Sequence, residues 1–158
     1  MEVKSSRCVA KYKCNDGIAL RNFRAGLQGQ IEIANDNSPI QIVVSGLIDD
    51  INSSEKVFTS NGAKRYLKLN VSSAFHSKFM KDAQSKLSSE IDKLSFSLIN
   101  IPIISNFDSS INYNQKEIVY SLKNQMANRV KWTQSIKALE ETDTSTIIEI
   151  GPGKVLSG

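Results

Sequence analysis

Apolar and polar positions in the first half of the chain follow the periods of short strands and amphipathic helices. Residues 7–13 alternate loosely, as a strand would, and residues 18–27 place apolar side chains on one face of a short helix. Two apolar runs, 31–34 and 40–45, are separated by the turn-forming residues 35–39, which predicts two strands joined as a hairpin.

A helix and a strand follow this hairpin. Residues 47–61 predict a helix that ends at Asn61-Gly62. Its inward-facing residues are Ile48, Ile51 and Phe58. Residues 63–71 predict another strand. The order strand, helix, strand, strand, helix, strand is that of the ferredoxin-like fold, in which helices cover one face of a sheet.

The second half of the chain predicts longer helices and fewer strands. Ser77 can cap a helix that runs from Lys78 to Leu94. The apolar stripe of this helix consists of Met80, Ala83, Leu87, Ile91 and Leu94. Residues 101–106 predict a short buried strand, and residues 108–114 predict a polar loop.

Two helices and a last strand complete the pattern. Residues 115–126 and 132–141 predict the helices, with apolar stripes formed by Ile118, Leu122 and Met126 and by Trp132, Ile136 and Leu139. Residues 144–150 are continuously rich in strand-forming residues, which predicts a central strand of an α/β sheet. The glycine-rich turn 151–154 follows where open α/β sheets bind ligands, but its glycine spacing is not that of a P-loop. Residues 71–158 are therefore expected to form part of an α/β sheet that lacks strands.

Composition places the chain among globular proteins of one domain or two small lobes, since its 158 residues are 40% hydrophobic and 23% charged. The sequence contains neither a membrane-spanning run nor a signal peptide, so we expect a soluble, cytoplasmic protein with no membrane partner. The net charge of +4 is concentrated in residues 1–30, but no nucleic-acid motif accompanies it, and we expect no nucleic-acid partner. Cys8 and Cys14 match no metal-ligand spacing, so we expect free thiols and no metal.

His76 is the only histidine in the chain, and it lies between the predicted strand 63–71 and the helix that begins at Lys78. Imidazole titrates near neutral pH, which makes His76 a candidate general base. A lone histidine is more often structural, and its position alone does not separate the two interpretations.

Six blocks of the sequence resemble malonyl-CoA:acyl-carrier-protein transacylases and follow that family's order. Residues 35–46, Asn-Asp-Asn-Ser-Pro-Ile-Gln-Ile-Val-Val-Ser-Gly, are similar to the family's Asn-x-Asn-Ser-Pro-x-Gln-x-Val-x-Ser-Gly segment. Phe75-His76-Ser77 and Met80-Lys81 resemble the loop that holds the family's catalytic histidine. The other blocks are residues 62–65, 102–106, 125–133 and 149–158. The likeness covers residues 31–158 and is faint over residues 1–30.

The resemblance implies an α/β fold with an α+β small lobe: a ferredoxin-like βαββαβ subdomain followed by the C-terminal part of an α/β-hydrolase-like acyltransferase core. Residues 1–30 would supply the first strand and helix of the small lobe, and residues 31–70 the rest of the ferredoxin-like subdomain. Residues 71–158 would be the C-terminal part of the large lobe. The active site would lie in the cleft between the lobes.

The resemblance also implies acyl-carrier-protein S-malonyltransferase activity in fatty-acid biosynthesis. The substrates would be malonyl-CoA and phosphopantetheinyl acyl carrier protein, and no cofactor would be needed. A serine attacks the thioester in this family while a histidine, matched here by His76, removes the serine proton. Gln125 matches the residue whose main-chain carbonyl orients that histidine.

The nucleophile of the family is missing from this chain. It lies in Gly-His-Ser-Leu-Gly, a nucleophile elbow, and the chain contains no Gly-x-Ser-x-Gly. The family's oxyanion-hole segment and malonate-binding arginine also precede the matched part. We therefore expect the chain alone to be inactive, as the carboxyl half of a transacylase that a separate upstream half could complement.

Other interpretations remain open. The chain could be a docking module in which basic residues attract an acidic acyl carrier protein, although exposed lysines are usually only solvated surface. The candidate docking residues are Lys64, Arg65, Lys78 and Lys81. The chain could also be a non-functional remnant that exposes apolar sheet edges, or a fragment of a polyketide-synthase acyltransferase domain.

Overall fold

A four-stranded antiparallel sheet forms the amino-terminal region of the computed structural model, which describes residues 5–12 and 30–153. Its strands are β1 (Ser5–Tyr12), β2 (Ile31–Ser38), β3 (Gln41–Leu47) and β4 (Ala63–Leu69). They lie in the order β2-β3-β1-β4, and each neighbouring pair is antiparallel. The strand predicted over residues 7–13 is therefore a central strand of the sheet. The helix predicted over residues 18–27 lies outside the described residues.

Helix α1 (Ile48–Ser60) joins β3 to β4 and packs against the sheet. The predicted inward orientation is confirmed for Ile51 and Phe58, which are 0% and 3% exposed, whereas Ile48 in the first turn is 38% exposed. The buried cluster between helix and sheet consists of Cys8, Ile31, Ile42, Val44, Ile51, Phe58 and Ala63. Burying one large aliphatic or aromatic side chain stabilises a fold by about 1.5–3 kcal/mol, so this cluster holds the helix on the sheet.

Two glycines in this region occupy positions where a side chain would be strained. Gly62 ends α1 as predicted, with a φ of +93° and an N–H that donates to the carbonyl oxygen of Thr59 at 3.1 Å. Gly46 lies where β2 passes close to β3, and a Cβ atom there would be 2.6 Å from the carbonyl oxygen of Gln30. The block 35–46 ends with Ser45-Gly46, and the close approach of the two strands explains why its last residue is glycine.

The β2–β3 hairpin is longer than its sequence predicts. Strand β2 continues through the polar residues 35–37 to Ser38, and only Pro39 and Ile40 separate the two strands. The pairing with β3 shifts register twice along this stretch, and Asn35 forms an isolated parallel bridge with Val130. Partners outside the sheet therefore outweigh the turn preference of asparagine and aspartate.

The second region of the molecule is mainly helical. A 3-10 turn (Lys78–Met80) leads into α2 (Lys81–Ile91). A short hairpin of β5 (Ile103–Ile104) and β6 (Ile111–Asn112) precedes α3 (Gln115–Asn124) and α4 (Trp132–Glu140). Asn114 caps α3, because its Oδ1 accepts a hydrogen bond from the Glu117 N–H at 3.1 Å. No helix within residues 5–12 and 30–153 is both long and apolar enough to cross a membrane.

Several sequence predictions in this region are wrong in detail. Helix α2 ends at Ile91 rather than Leu94, which is 61% exposed. The Ser77 hydroxyl donates to the carbonyl oxygen of Ala74 at 2.6 Å instead of capping the helix. The polar loop predicted over residues 108–114 contains β6, since pairing with β5 supplies partners that the polar pattern does not reveal.

Residues 144–150 form no strand, contrary to the prediction of a buried central strand. Ile147, Ile148 and Ile150 are 70%, 76% and 93% exposed. A central strand is buried because neighbouring strands bond to both of its edges, and no strand of the described residues pairs with this segment. The glycine-rich turn after it is also exposed over residues 151–153.

Candidate active site

The turn that carries His76 is held by both regions of the molecule. His76 has a φ of +62°, a left-handed conformation that costs a residue with a Cβ atom about 1–2 kcal/mol. Its N–H donates to the carbonyl oxygen of Met126 at 3.0 Å. Ser45, which is fully buried in β3, donates from Oγ to the carbonyl oxygen of Phe75 at 2.8 Å. These bonds fix the strained turn where the sheet meets the helical region.

The imidazole of His76 has a defined hydrogen-bonding side. Its Nδ1 lies 3.0 Å from the carbonyl oxygen of Gln125 and 3.2 Å from that of Asn128. Because a carbonyl oxygen only accepts hydrogen bonds, Nδ1 must carry the hydrogen, and Nε2 of the neutral ring then carries the lone pair. In this tautomer Nε2 can accept a proton. The structure brings His76 and the Gln125 carbonyl together, and their catalytic role stays a prediction.

The carbonyl groups around His76 belong to residues 125–131, which we call the carbonyl loop. The N–H of Ala127 donates to Oε1 of Gln84, on α2, at 2.8 Å. Val130 exchanges two backbone hydrogen bonds of 2.8 and 2.9 Å with β2, and the N–H of Lys131 donates to a carbonyl of the β5–β6 hairpin at 2.9 Å. The carbonyl loop is thus held from three sides.

Asp36 is a buried carboxylate that joins β2 to the start of α4. It is 2% exposed, and its carboxylate accepts hydrogen bonds from Thr133 Oγ1 at 2.9 Å and from Gln134 Nε2 at 3.1 Å. Both partners lie in the first turn of α4, where the helix dipole also favours a negative charge. Asp36 therefore fixes the helix that follows the carbonyl loop.

An open groove of about 530 Å³ lies beside His76. Residues of β2, β3, the β5–β6 hairpin and α4 line it together with His76. Four of the lining side chains carry amides, which both donate and accept hydrogen bonds: Asn35, Asn37, Gln41 and Asn106. The groove therefore suits a ligand that itself carries amide or carbonyl groups.

The four basic residues suggested as a docking surface fall into two separate pairs. Lys64 and Arg65 lie near the start of β4, Lys78 and Lys81 lie directly after the His76 turn, and all four are exposed. Leu69 is the last residue of β4, and the chain continues from it towards the His76 turn. A strand rises about 3.3 Å per residue, so about 13 Å of β4 separates the Cα atoms of Arg65 and Leu69. The pair Lys78 and Lys81 therefore lies beside His76, whereas the pair Lys64 and Arg65 lies farther along β4.

The sheet core holds a thiol that is a poor nucleophile. Burial raises the pKa of Cys8 from its ordinary value of 9.0 to about 11, and its Sγ donates to the carbonyl oxygen of Leu67 at 2.9 Å. A thiol with a raised pKa reacts slowly, so Cys8 is not a candidate nucleophile. Cys8 forms no disulfide with a described residue, and Cys14 lies outside the described residues. No group of three or more potential metal-ligating side chains occurs in the described part of the chain.

Sequence reasoning missed Asp36, Ser45 and Gln84 as supports of this site. Ser45 carried a signal, because it is a polar residue in the apolar run 40–45, and a buried polar group must find a partner. Asp36 carried none, since it lies in the turn-forming stretch 35–39. Gln84 carried none, since a glutamine on a surface helix usually faces water.

The model of the acyl transferase domain family matches residues 3–157. The chain belongs to this family. Polyketide biosynthesis protein PksE of Bacillus subtilis is 41% identical to it over 129 residues, which are 81% of this chain and 17% of that protein. Malonyl CoA-acyl carrier protein transacylase of Bacillus subtilis is 38% identical over 128 residues, which are 81% of this chain and 40% of that protein.

Solved structures of the family share the fold of this acyltransferase chain. One is a type II PKS acyl-carrier protein in complex with its malonyl-transacylase, which matches with a TM-score of 0.86 and 31% identity over 98% of this chain and 50% of that chain. The mixed α/β arrangement of the described residues is thus that of the acyltransferase fold. The chain spans half or less of the length of these relatives.

Proposed function

We propose that this chain supplies the general base of an acyl-carrier-protein S-malonyltransferase site. His76 is that base, and the main-chain carbonyl of Gln125 orients it. The observation that carries the proposal is the 3.0 Å contact between His76 Nδ1 and the Gln125 oxygen, in a turn that borders the groove. This contact selects the tautomer whose Nε2 accepts a proton.

The proposed reaction has two steps: acylation of the serine, and transfer of the acyl group to the carrier protein. Nε2 of His76 takes the proton of a serine hydroxyl as the serine oxygen attacks the malonyl thioester carbonyl, and the imidazolium returns that proton to the departing CoA thiolate. The phosphopantetheine thiol of the acyl carrier protein then gives its proton to His76 and attacks the acyl-serine, whose oxygen is reprotonated. The proposed reaction needs no cofactor. The name of the Bacillus subtilis malonyl CoA-acyl carrier protein transacylase supports malonyl-CoA and acyl carrier protein as substrates.

The proposal includes a division of the chain into two lobes. Residues 31–70 form a ferredoxin-like subdomain to which β1 contributes the first strand, and residues 71–158 belong to the large acyltransferase lobe. The strand order β2-β3-β1-β4 and the position of α1 between β3 and β4 support this division, because they agree with the ferredoxin-like pattern.

The serine and the malonate-binding arginine belong, in this proposal, to the amino-terminal half of the fold. The match covers 40% of the Bacillus subtilis transacylase and 50% of the solved transacylase chain, which leaves room in these relatives for such a half. Exposed apolar residues that the additional strands would cover support this assignment, among them Leu98, Ile147, Ile148 and Ile150.

A complementation assay tests the proposed function. The chain is mixed with the amino-terminal part of the Bacillus subtilis transacylase, and malonyl transfer to acyl carrier protein is measured. We expect no transfer by either part alone and transfer by the mixture. The variant His76→Ala should abolish it, since losing one member of a serine–histidine unit costs on the order of a million-fold in the best-studied case.

If the two parts do not associate, a chimera tests the proposed role of His76 instead. In it, this chain replaces the matched part of the Bacillus subtilis transacylase within a single polypeptide. A folded chimera without malonyl transfer, or transfer that survives His76→Ala, would show that the proposed role of His76 is wrong.

A second candidate function is docking of an acyl carrier protein, favoured by the exposed Lys78 and Lys81 beside His76. Opposite charge steers such an encounter, and salt weakens it. We expect the double variant Lys78→Glu/Lys81→Glu to weaken binding of acyl carrier protein in a titration, and Lys64→Glu/Arg65→Glu to weaken it less. Binding that is absent, or that does not respond to salt, would eliminate this function.

The polyketide and remnant alternatives make different predictions for the same assays. The identity with PksE favours a polyketide carrier protein as acceptor, so the complemented enzyme is tested with carrier proteins of both fatty-acid and polyketide synthesis. A non-functional remnant would neither associate with the amino-terminal part nor bind a carrier protein.

A further inference from the structure

The carbonyl loop contacts His76 through three of its main-chain carbonyl groups. Gln125 and Asn128 face the imidazole Nδ1, and Met126 accepts the hydrogen bond from the His76 N–H. Both the position of the strained turn and the tautomer of the ring therefore depend on the conformation of this loop.

Gln84 bonds to the middle of the carbonyl loop. Its Oε1 accepts from the Ala127 N–H at 2.8 Å. The Ala127 N–H and the Met126 C=O belong to one planar trans peptide group, in which the two bonds point in opposite directions. Gln84 therefore holds one edge of this peptide plane while the His76 N–H bonds to the other edge at 3.0 Å.

We propose that Gln84 is a positioning residue for His76. By orienting the peptide group between Met126 and Ala127, it sets the approach of the flanking carbonyls of Gln125 and Asn128 to the imidazole. It thereby holds the ring in the tautomer with hydrogen on Nδ1. The importance of this tautomer for catalysis rests on the proposed function, whereas the link between Gln84 and the ring can be measured without any activity.

Nitrogen-15 NMR of the full chain tests the proposal, because the single histidine gives one pair of ring signals. The ratio of the Nδ1–H to the Nε2–H tautomer is measured at a pH where the ring is neutral. We expect Gln84→Leu to lower this ratio about fivefold, the change produced by losing a hydrogen bond worth about 1 kcal/mol. Gln84→Glu keeps an acceptor of the same reach and should restore the wild-type ratio.

Two further variants separate positioning from general packing. Gln84→Asn keeps a polar amide but is one methylene too short to reach Ala127, and it should lower the ratio as Gln84→Leu does. Ser88→Ala removes another contact of α2, from its Oγ to the carbonyl oxygen of Lys123 at 3.4 Å, and should leave the ratio unchanged.

The proposal is overturned if Gln84→Leu or Gln84→Asn folds and keeps the wild-type ratio, or if Ser88→Ala changes the ratio as much as they do. Failure of malonyl transfer in the complementation assay would remove the proposed function but leave this result intact. A changed ratio together with unchanged transfer would show that the tautomer does not limit the reaction.

Discussion

The core between the sheet and α1 and the carboxyl-terminal segment contain the same kind of residue, isoleucine, in opposite surroundings. Ile51, on the helix that covers the sheet, is fully buried, whereas Ile147 and Ile150 are 70% and 93% exposed. Every strand of the sheet has a bonded neighbour, and no strand of the described residues adjoins residues 144–150. A sequence rich in strand-forming residues is therefore not sufficient for a strand, because a strand also needs edges to pair with.

The same substitution in the two regions should give the largest contrast. Ile51→Ala removes buried methyl and methylene groups from the sheet core and should lower the free energy of unfolding by about 3 kcal/mol. Ile147→Ala removes groups that are already in water and should change it by less than about 0.5 kcal/mol. Denaturant unfolding measures both values.

If Ile51→Ala and Ile147→Ala lowered the free energy of unfolding equally, the contrast between the two regions would be wrong, because Ile147 would then be covered in solution. Adding the amino-terminal part of a transacylase should change the result for Ile147→Ala alone, if that part covers the carboxyl-terminal segment as proposed.

Removing the Asp36 carboxylate should give the next largest effect, because it loosens the contact between the sheet and the helical region. Asp36→Ala leaves Gln134 Nε2 without its acceptor and leaves Thr133 Oγ1 only the main-chain oxygen of residue 36, 3.2 Å away. It should cost about 2 kcal/mol. The loss should appear as increased amide exchange in α4 rather than in the sheet strands.

Asp143→Ala is the matched control, because this aspartate is exposed on the turn after α4. It should leave stability and exchange unchanged. Uniform loosening of the whole molecule by Asp36→Ala would show that the two regions unfold as one unit.

Alkaline pH should produce a smaller effect that is confined to the sheet. Burial raises the pKa of Cys8 to about 11 and also raises the pKa of Tyr66, so the folded state holds these protons more tightly than the unfolded state. The resulting stabilisation is complete below pH 9 and is lost as the pH rises from 9 towards 11, so the free energy of unfolding should fall over this range.

The variants Cys8→Ala and Tyr66→Phe identify the groups responsible. Each should lower stability at neutral pH and flatten its decline above pH 9. A decline that runs parallel to that of the wild-type chain in both variants would assign the pH dependence to other groups.

The sequence predicts well those elements whose partners are close in the chain. The hairpin of β2 and β3, the helix α1 with inward Ile51 and Phe58, and its end at Gly62 all follow from local periodicity and turn chemistry. Contacts between distant residues decide what the patterns miss. Strand β2 extends through residues that favour turns because Asp36 meets α4 about a hundred positions later in the chain.

Some residues of the candidate site could likewise be predicted from the sequence, and others could not. The resemblance pointed to His76 and to the carbonyl of Gln125, and these two groups lie 3.0 Å apart. Gln84 could not be found from the sequence, because its partner is a main-chain N–H whose position depends on the packing of α2 against the carbonyl loop. Local sequence patterns carry no information on such an approach.

The backbone bridge between β2 and Val130 crosses the boundary between the sheet and the helical region. A hinge motion that widened the groove would have to break both of its hydrogen bonds and withdraw Asp36 from α4. These contacts therefore oppose widening of the groove by a hinge motion. A ligand of the groove would have to fit its present width, and flexibility of the ligand rather than of the protein would bring it to His76.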